Sequence, residues 1–197
     1  MIIGITGYLA SGKGEIAEYL ESLGYTRYSF SRWLKVECVR RGMDDTLENL
    51  ISLANTIRAE SGHDAIAREL LEQISEEHPA NAVVESFRHP EEIEAFRESG
   101  GFVLLSVDAP RETRYERLKA RGERSDESAM SFEDFVKIEE KQITGSGSGQ
   151  QLYACRKLAD YNVVNNGTVE DLRRNVDEVM KQIQETGQSV AEMSEKK

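Results

Sequence analysis

The chain of 197 residues has little that would place it outside the cell or in a membrane. Its two cysteines, Cys38 and Cys155, lie far apart, make neither a disulfide framework nor a metal motif, and read as buried thiols. The three histidines, His63, His78 and His89, show no ligand spacing, which argues against metal-binding roles for them. No apolar run approaches the roughly 18 residues that a membrane span needs, and no basic, apolar leader opens the chain. The expectation is a cytoplasmic protein without a membrane partner. Positive charge is in deficit: 25 Lys and Arg against 36 Asp and Glu leave a net −11. That sign argues against a nucleic-acid partner, and it makes any local cluster of arginines conspicuous. Internal repeats are absent, as is the Asn-Lys-x-Asp segment that would read guanine. The length suits one domain with a single core.

What is present begins at the first residues. Met1-Ile2-Ile3-Gly4-Ile5-Thr6 reads as a buried strand, and Glu15-Ile16-Ala17-Glu18-Tyr19-Leu20 reads as a helix. Between them lies Gly7-Tyr8-Leu9-Ala10-Ser11-Gly12-Lys13-Gly14. Strand, glycine-rich turn, Gly-Lys and helix form the context of a phosphate-binding loop. Such a turn points backbone N–H groups inward, and the helix N-terminus adds partial positive charge. Lys13 supplies a mobile full charge for the β- and γ-phosphates of a nucleotide. One element is missing: the residue after the lysine, usually a Ser or Thr that touches magnesium, is Gly14.

Further along, Tyr25 to Phe30 alternates and reads as a second strand, with Ser29, Ser31 and Arg32 at its C-terminal end. That end is where an open parallel sheet binds ligands. Helical stripes then follow, Leu47, Leu50, Ile51, Ala54 and Ile57, and next Ile66, Leu70, Leu71 and Ile74. They predict a helical insertion over about 32–78 that carries Arg40, Arg41 and Arg58, solvated or, beside an acceptor, phosphate-binding. Asn81 to Glu85 is a third strand ending in an acid, a position suited to orienting magnesium through water, and Arg88 is a candidate phosphate clamp. Gly101 to Val107 is the fourth strand. After it, Arg114, Arg117 and Arg121 recur on one helical face, with Arg124 just beyond. A lid over about 111–128 bearing Arg117, Arg121 and Arg124 would neutralise a triphosphate and exclude water. Asp160 to Val164 is the fifth strand, and Thr168 caps a last helix striped by Leu172, Val176, Val179 and Ile183. The tail from about Gln184 is polar and expected to be loose.

Five strands alternating with helices, with the loop after the first, predict an α/β fold of the P-loop NTPase type. It has three layers, a five-stranded parallel sheet with helices on both faces, and the insertion between strands 2 and 3. The domain is expected to span 1–183. At this point the chain resembles the small nucleotide kinases. Gly7 to Gly14 is similar to their phosphate loop, Asp108-Ala109-Pro110 with the following arginines to their lid segment, and Ala159 to Thr168 to their closing strand. The closer likeness is to a group similar to adenylate kinase and dephospho-coenzyme A kinase, carried by Gly12-Lys13-Gly14-Glu15 and by Val84-Glu85-Ser86-Phe87-Arg88-His89-Pro90. The zinc-deaminase pattern that accompanies some related domains is absent.

The resemblance implies ATP and Mg2+ as cofactors, with the loop from Gly7 to Glu15 on the phosphates and Asn166 and Gly167 near the base. It implies Lys13, Glu85 and the lid arginines as catalytic residues, Glu85 as the metal-side acid, and Ser29, Ser31, Arg32, Arg58 and Arg88 toward the acceptor. The expected activity is phosphoryl transfer to a small phosphorylated acceptor, a nucleoside or deoxynucleoside monophosphate. The alternatives are dephospho-coenzyme A as acceptor, or an ATP-binding regulator with little transfer.

Overall fold

A computed structural model describes residues 1–121, 129–144 and 149–194. The chain runs β1 (Ile2–Gly7), α1 (Lys13–Ser22), β2 (Thr26–Ser29), α2 (Phe30–Arg40), α3 (Leu47–Ser61), α4 (Ala65–Glu77), β3 (Ala82–Phe87), α5 (Pro90–Glu98) and β4 (Phe102–Asp108). It continues through α6 (Arg111–Arg121), α7 (Phe132–Thr144), α8 (Leu152–Lys157), β5 (Tyr161–Val164) and α9 (Val169–Ser194). The five strands form one sheet in the order β2-β3-β1-β4-β5, and every pairing is parallel. All five therefore deliver their C-terminal ends to one edge, with β1 in the middle. The expected three-layer P-loop fold is the observed one.

Two clusters of apolar side chains sandwich the sheet. On one face Ile16 and Leu20 of α1 and Leu172 and Val176 of α9 pack on Ile3, Ile5, Val83, Leu105 and Val163. On the other, Phe30, Phe87 and Phe96 meet in edge-on contacts above Val84 and Leu104, beneath α2 to α5. A third, smaller cluster joins Leu9 of the glycine-rich turn to Leu47, Leu118 and Phe135. It ties the turn to α6 and α7. Among the described residues no helix is long and apolar enough to cross a membrane.

Two differences from the sequence reading stand out. The last helix does not end near Ile183 but runs on to Ser194, so residues 184–194 of the expected loose tail continue the helix. Six residues of high helix propensity within 184–194, four of them Gln or Glu, favour this. The third strand also runs past Glu85 to Phe87 and carries an irregularity. Ile5 pairs with Glu85 and Thr6 with Phe87, so Ser86 is an extra residue, and its φ of 79° lies in the left-handed region. Val83 faces the α1 side, and Ala82 and Val84 face the α2 side. Strict alternation would put Phe87 with Val83; the bulge places it with Ala82 and Val84 instead.

Candidate functional site

The glycine-rich turn is built by contacts from remote segments. Gly12 has φ 105°, and a Cβ there would lie 2.2 Å from Asn165 Nδ2. That amide donates to the Ser11 carbonyl at 2.9 Å, and Arg117 donates to both the carbonyl and the side-chain oxygen of Asn165 at 3.2 Å. The residue after β5 therefore locks the turn to α6. The Lys13 ammonium is almost wholly buried and donates to the carbonyls of Gly7 at 3.0 Å and Tyr8 at 2.8 Å. Burial, then the Arg88 guanidinium, lower its pKa well below the usual lysine value, while Glu85 works against them. The buried Ser11 hydroxyl finds no hydrogen-bond partner among the described residues. A cationic amine resting on neutral carbonyls, an unmatched hydroxyl and a helix N-terminus together fit a polyphosphate.

Around Lys13 lies a cavity of about 780 Å³. Leu9 to Glu15 form its floor; Arg117, Arg121, Asn165 and Gly167 line it from beyond β4 and β5; Ser29, Ser31, Arg32, Glu85, Ser86 and Arg88 line it from β2 and β3. Because β1 is central, these two groups stand on opposite sides of the turn. A second cavity, of about 720 Å³, adjoins the first across Arg27, Ser29 and Arg32, which line both.

Most of the residues singled out in the sequence meet here, with several exceptions. Arg58 does not reach the cavity around Lys13. It is buried in α3 and donates through Nε at 3.1 Å and Nη2 at 2.7 Å to Glu92 Oε1, so its charge is committed inside the fold. Arg40 and Arg41, both on the second cavity, are exposed as expected and also donate to Glu37 at 2.7 Å. The Tyr8 ring does not line the nucleotide cavity; it lies between Arg156, 4.3 Å from its centroid, and Arg114, at 5.1 Å. Gly7 lies below the lining, and Asn166 is exposed outside it. Arg124 lies outside the described residues. The Ser29 hydroxyl caps α2 by accepting from the Arg32 N–H at 3.3 Å.

Glu85 sits at the cavity, but not alone. Arg27 donates to its Oε1 through Nε at 3.1 Å and Nη2 at 2.6 Å. A Cβ on Gly14 would find Arg27 Nη2 at 3.7 Å and Glu85 Oε2 at 4.0 Å, ordinary contacts. The position lacking a hydroxyl thus faces this pair, and the Arg27 hydrogen bonds fall on Glu85 Oε1.

Sequence reasoning missed Arg27, Asn165, Ser86 and Arg156. Arg27 lies inside a strand and gave no signal. Asn165 was one residue from the chosen Asn166, and the buried end of β5 was the available clue. Arg156 donates to Asp108 Oδ2 at 2.6 Å from α8, a pairing visible only in the fold. His63 and His89, which show no ligand spacing in the sequence, come together beside Glu91. Gly62 ends α3 so that His63 turns onto the start of α5.

Comparison with known proteins follows the same lines. The AAA domain family matches residues 3–144. A UPF0200 protein of Thermococcus onnurineus (strain NA1) is 32% identical over 188 residues, covering 93% of this chain and 98% of its own. The crystal structure of TT1252 from Thermus thermophilus superposes with a TM-score of 0.56 at 27% identity, over 92% of this chain and 97% of that one. Shikimate kinase from Bacteroides thetaiotaomicron gives a TM-score of 0.62 at 14% identity, over 92% and 98% of the two chains, a likeness of fold alone.

Proposed function

The chain belongs to the UPF0200 proteins and to the AAA domain family, and from that premise we propose that it transfers the γ-phosphoryl group of ATP to a small phosphorylated acceptor. The acceptor we favour is a nucleoside or deoxynucleoside monophosphate. One observation carries the reading: a single cavity holds the Lys13 turn between lid-side arginines and a second cationic wall of Arg32 and Arg88. Two anionic substrates need cations on both sides of the transferred group.

Bound magnesium-ATP would supply the transferable phosphoryl group and screen its charge. The protein residues would do the rest. Lys13 would exchange the Gly7 and Tyr8 carbonyls for phosphate oxygens. Arg117, held on Asn165, and Arg121 would sit against the charge that spreads during transfer. Arg88 and Arg32 would orient the acceptor phosphate, with Ser31 beside them. Glu85 Oε2 would fix the water shell of the metal.

The test is coupled ADP release with ATP and magnesium, run against ribo- and deoxynucleoside monophosphates and dephospho-coenzyme A. Release that depends on one monophosphate is the expected result. A dephospho-coenzyme A dependence would move the acceptor but keep the chemistry. A second reading, a nucleotide-binding regulator, draws on Gly14 and on the Arg27 pair that occupies Glu85 Oε1. ATP binding without acceptor-dependent release would replace the transferase reading with that one.

A further inference from the structure

His63 and His89 belong to segments 26 residues apart in sequence, the α3–α4 junction and the start of α5. In the fold their rings lie 4.3 Å apart, centroid to centroid, and both turn Nδ1 toward one carboxylate. His63 Nδ1 is 3.2 Å from Glu91 Oε1, and His89 Nδ1 is 2.5 Å from Glu91 Oε2. The three donor atoms all lie within 4.8 Å of one another. We propose that His63, His89 and Glu91 bind a divalent cation of the zinc class, at a site separate from the nucleotide cavity.

The donor set decides the class of ion. Two imidazole nitrogens and one carboxylate suit zinc and its borderline neighbours, whereas magnesium and calcium select oxygen. Bonds of roughly 2.0–2.2 Å in a tetrahedron put ligands about 3.3 Å apart. The His63–Glu91 distance of 3.2 Å already matches that, and the 2.5 Å His89–Glu91 contact opens as the ion enters between the two groups. Access is also suitable: the His89 side chain is fully buried, while those of His63 and Glu91 are 35% and 45% exposed. The ion enters from the solvent side, and water completes its shell.

The outer shell is in place. His89 Nε2 lies 3.0 Å from the Gln151 side-chain nitrogen. A metal on Nδ1 leaves the proton on Nε2, and the Gln151 amide, turned over in the same space, accepts it through oxygen. The consequence is positional. Arg88 precedes His89 directly, and its backbone N–H donates to Glu92 at 2.8 Å. A metal here staples the helical insertion to the segment that carries Arg88.

The experiment uses full-length protein without a histidine tag, washed with chelator and free of nucleotide, titrated with zinc alone and with cobalt alone. The expected result is one equivalent of zinc per chain and a visible ligand-field absorption with cobalt. Affinity should weaken by about 10-fold or more in His63→Ala and in Glu91→Gln, and should persist in Lys13→Ala. Glu91→Gln preserves shape, so it decides the matter if His63→Ala fails to fold by circular dichroism. No zinc uptake by the wild-type chain, or equal uptake by Glu91→Gln, would overturn the site and leave a carboxylate hydrogen-bonded between two imidazoles.

Discussion

The glycine-rich turn and the helical insertion with its neighbouring strands handle positive charge in opposite ways. At the turn, Lys13 is held by neutral carbonyls and desolvated among other cations, so its charge is unmatched by a directly bonded anion. On the insertion side, four arginines are held by carboxylates: Arg27 by Glu85, Arg58 by Glu92, Arg40 and Arg41 by Glu37. A cation on carbonyls is primed for an incoming anion. A cation on a carboxylate is already neutralised and serves shape. The difference separates the groups that would act on a substrate from those that hold the wall in position.

Removing a partner on the neutralised side should cost most in stability. Glu92 is fully buried and also accepts from the backbone N–H groups of Arg88 and His89. Glu92→Ala should therefore lose about 3–5 kcal/mol, because it strands the buried Arg58 charge; denaturant unfolding reads this directly. On the other side, Lys13→Ala should leave the melting temperature nearly unchanged and lower nucleotide-dependent turnover by about 10²–10³-fold. If Lys13→Ala unfolded the protein instead, the contrast would collapse. Gly12→Ala tests the seam between the two, and should cost about 1–3 kcal/mol from strain and overlap with Asn165. Asn165→Ala in the same chain should recover part of that loss, read as non-additivity in a double-mutant cycle.

The smallest effect concerns pH. Hydrogen bonds from Arg40, and then Arg41, push the Glu37 carboxyl down from 4.5 to about 2. Its folded-state value is lowered, so its contribution is present above the unfolded value and is lost as pH falls through about 2. Screening at this partly open position leaves about 1 kcal/mol. In acid unfolding curves Glu37→Gln should flatten that interval and little else.

The same contrast explains what could be read from the sequence. The turn was legible because its determinants are contiguous: two glycines, a lysine, an apolar strand before and an amphipathic helix after. The five strands and the apolar helix stripes followed from periodicity; the order β2-β3-β1-β4-β5 did not. The roles of individual arginines did not, because each is decided by a partner chosen in three dimensions. Arg58 finds Glu92 34 residues away, and Arg114 finds the Leu9 carbonyl 105 residues away. Arg117 and Arg58 look alike in one dimension; one lines the cavity and the other is sealed beneath α5. His63 and His89 repeat the lesson, since a spacing rule sees only ligands that share an element.

The bulge at Ser86 makes β3 one residue longer than its sheet requires. Ile5–Glu85 and Thr6–Phe87 are consecutive rungs, so a chain without Ser86 could keep every rung and leave Phe87 among the same aromatic rings. The surplus residue is therefore neutral to the architecture, and its effect is confined to the rim where Glu85 and Arg88 stand. That one residue separates the length the scaffold needs from the length the site needs.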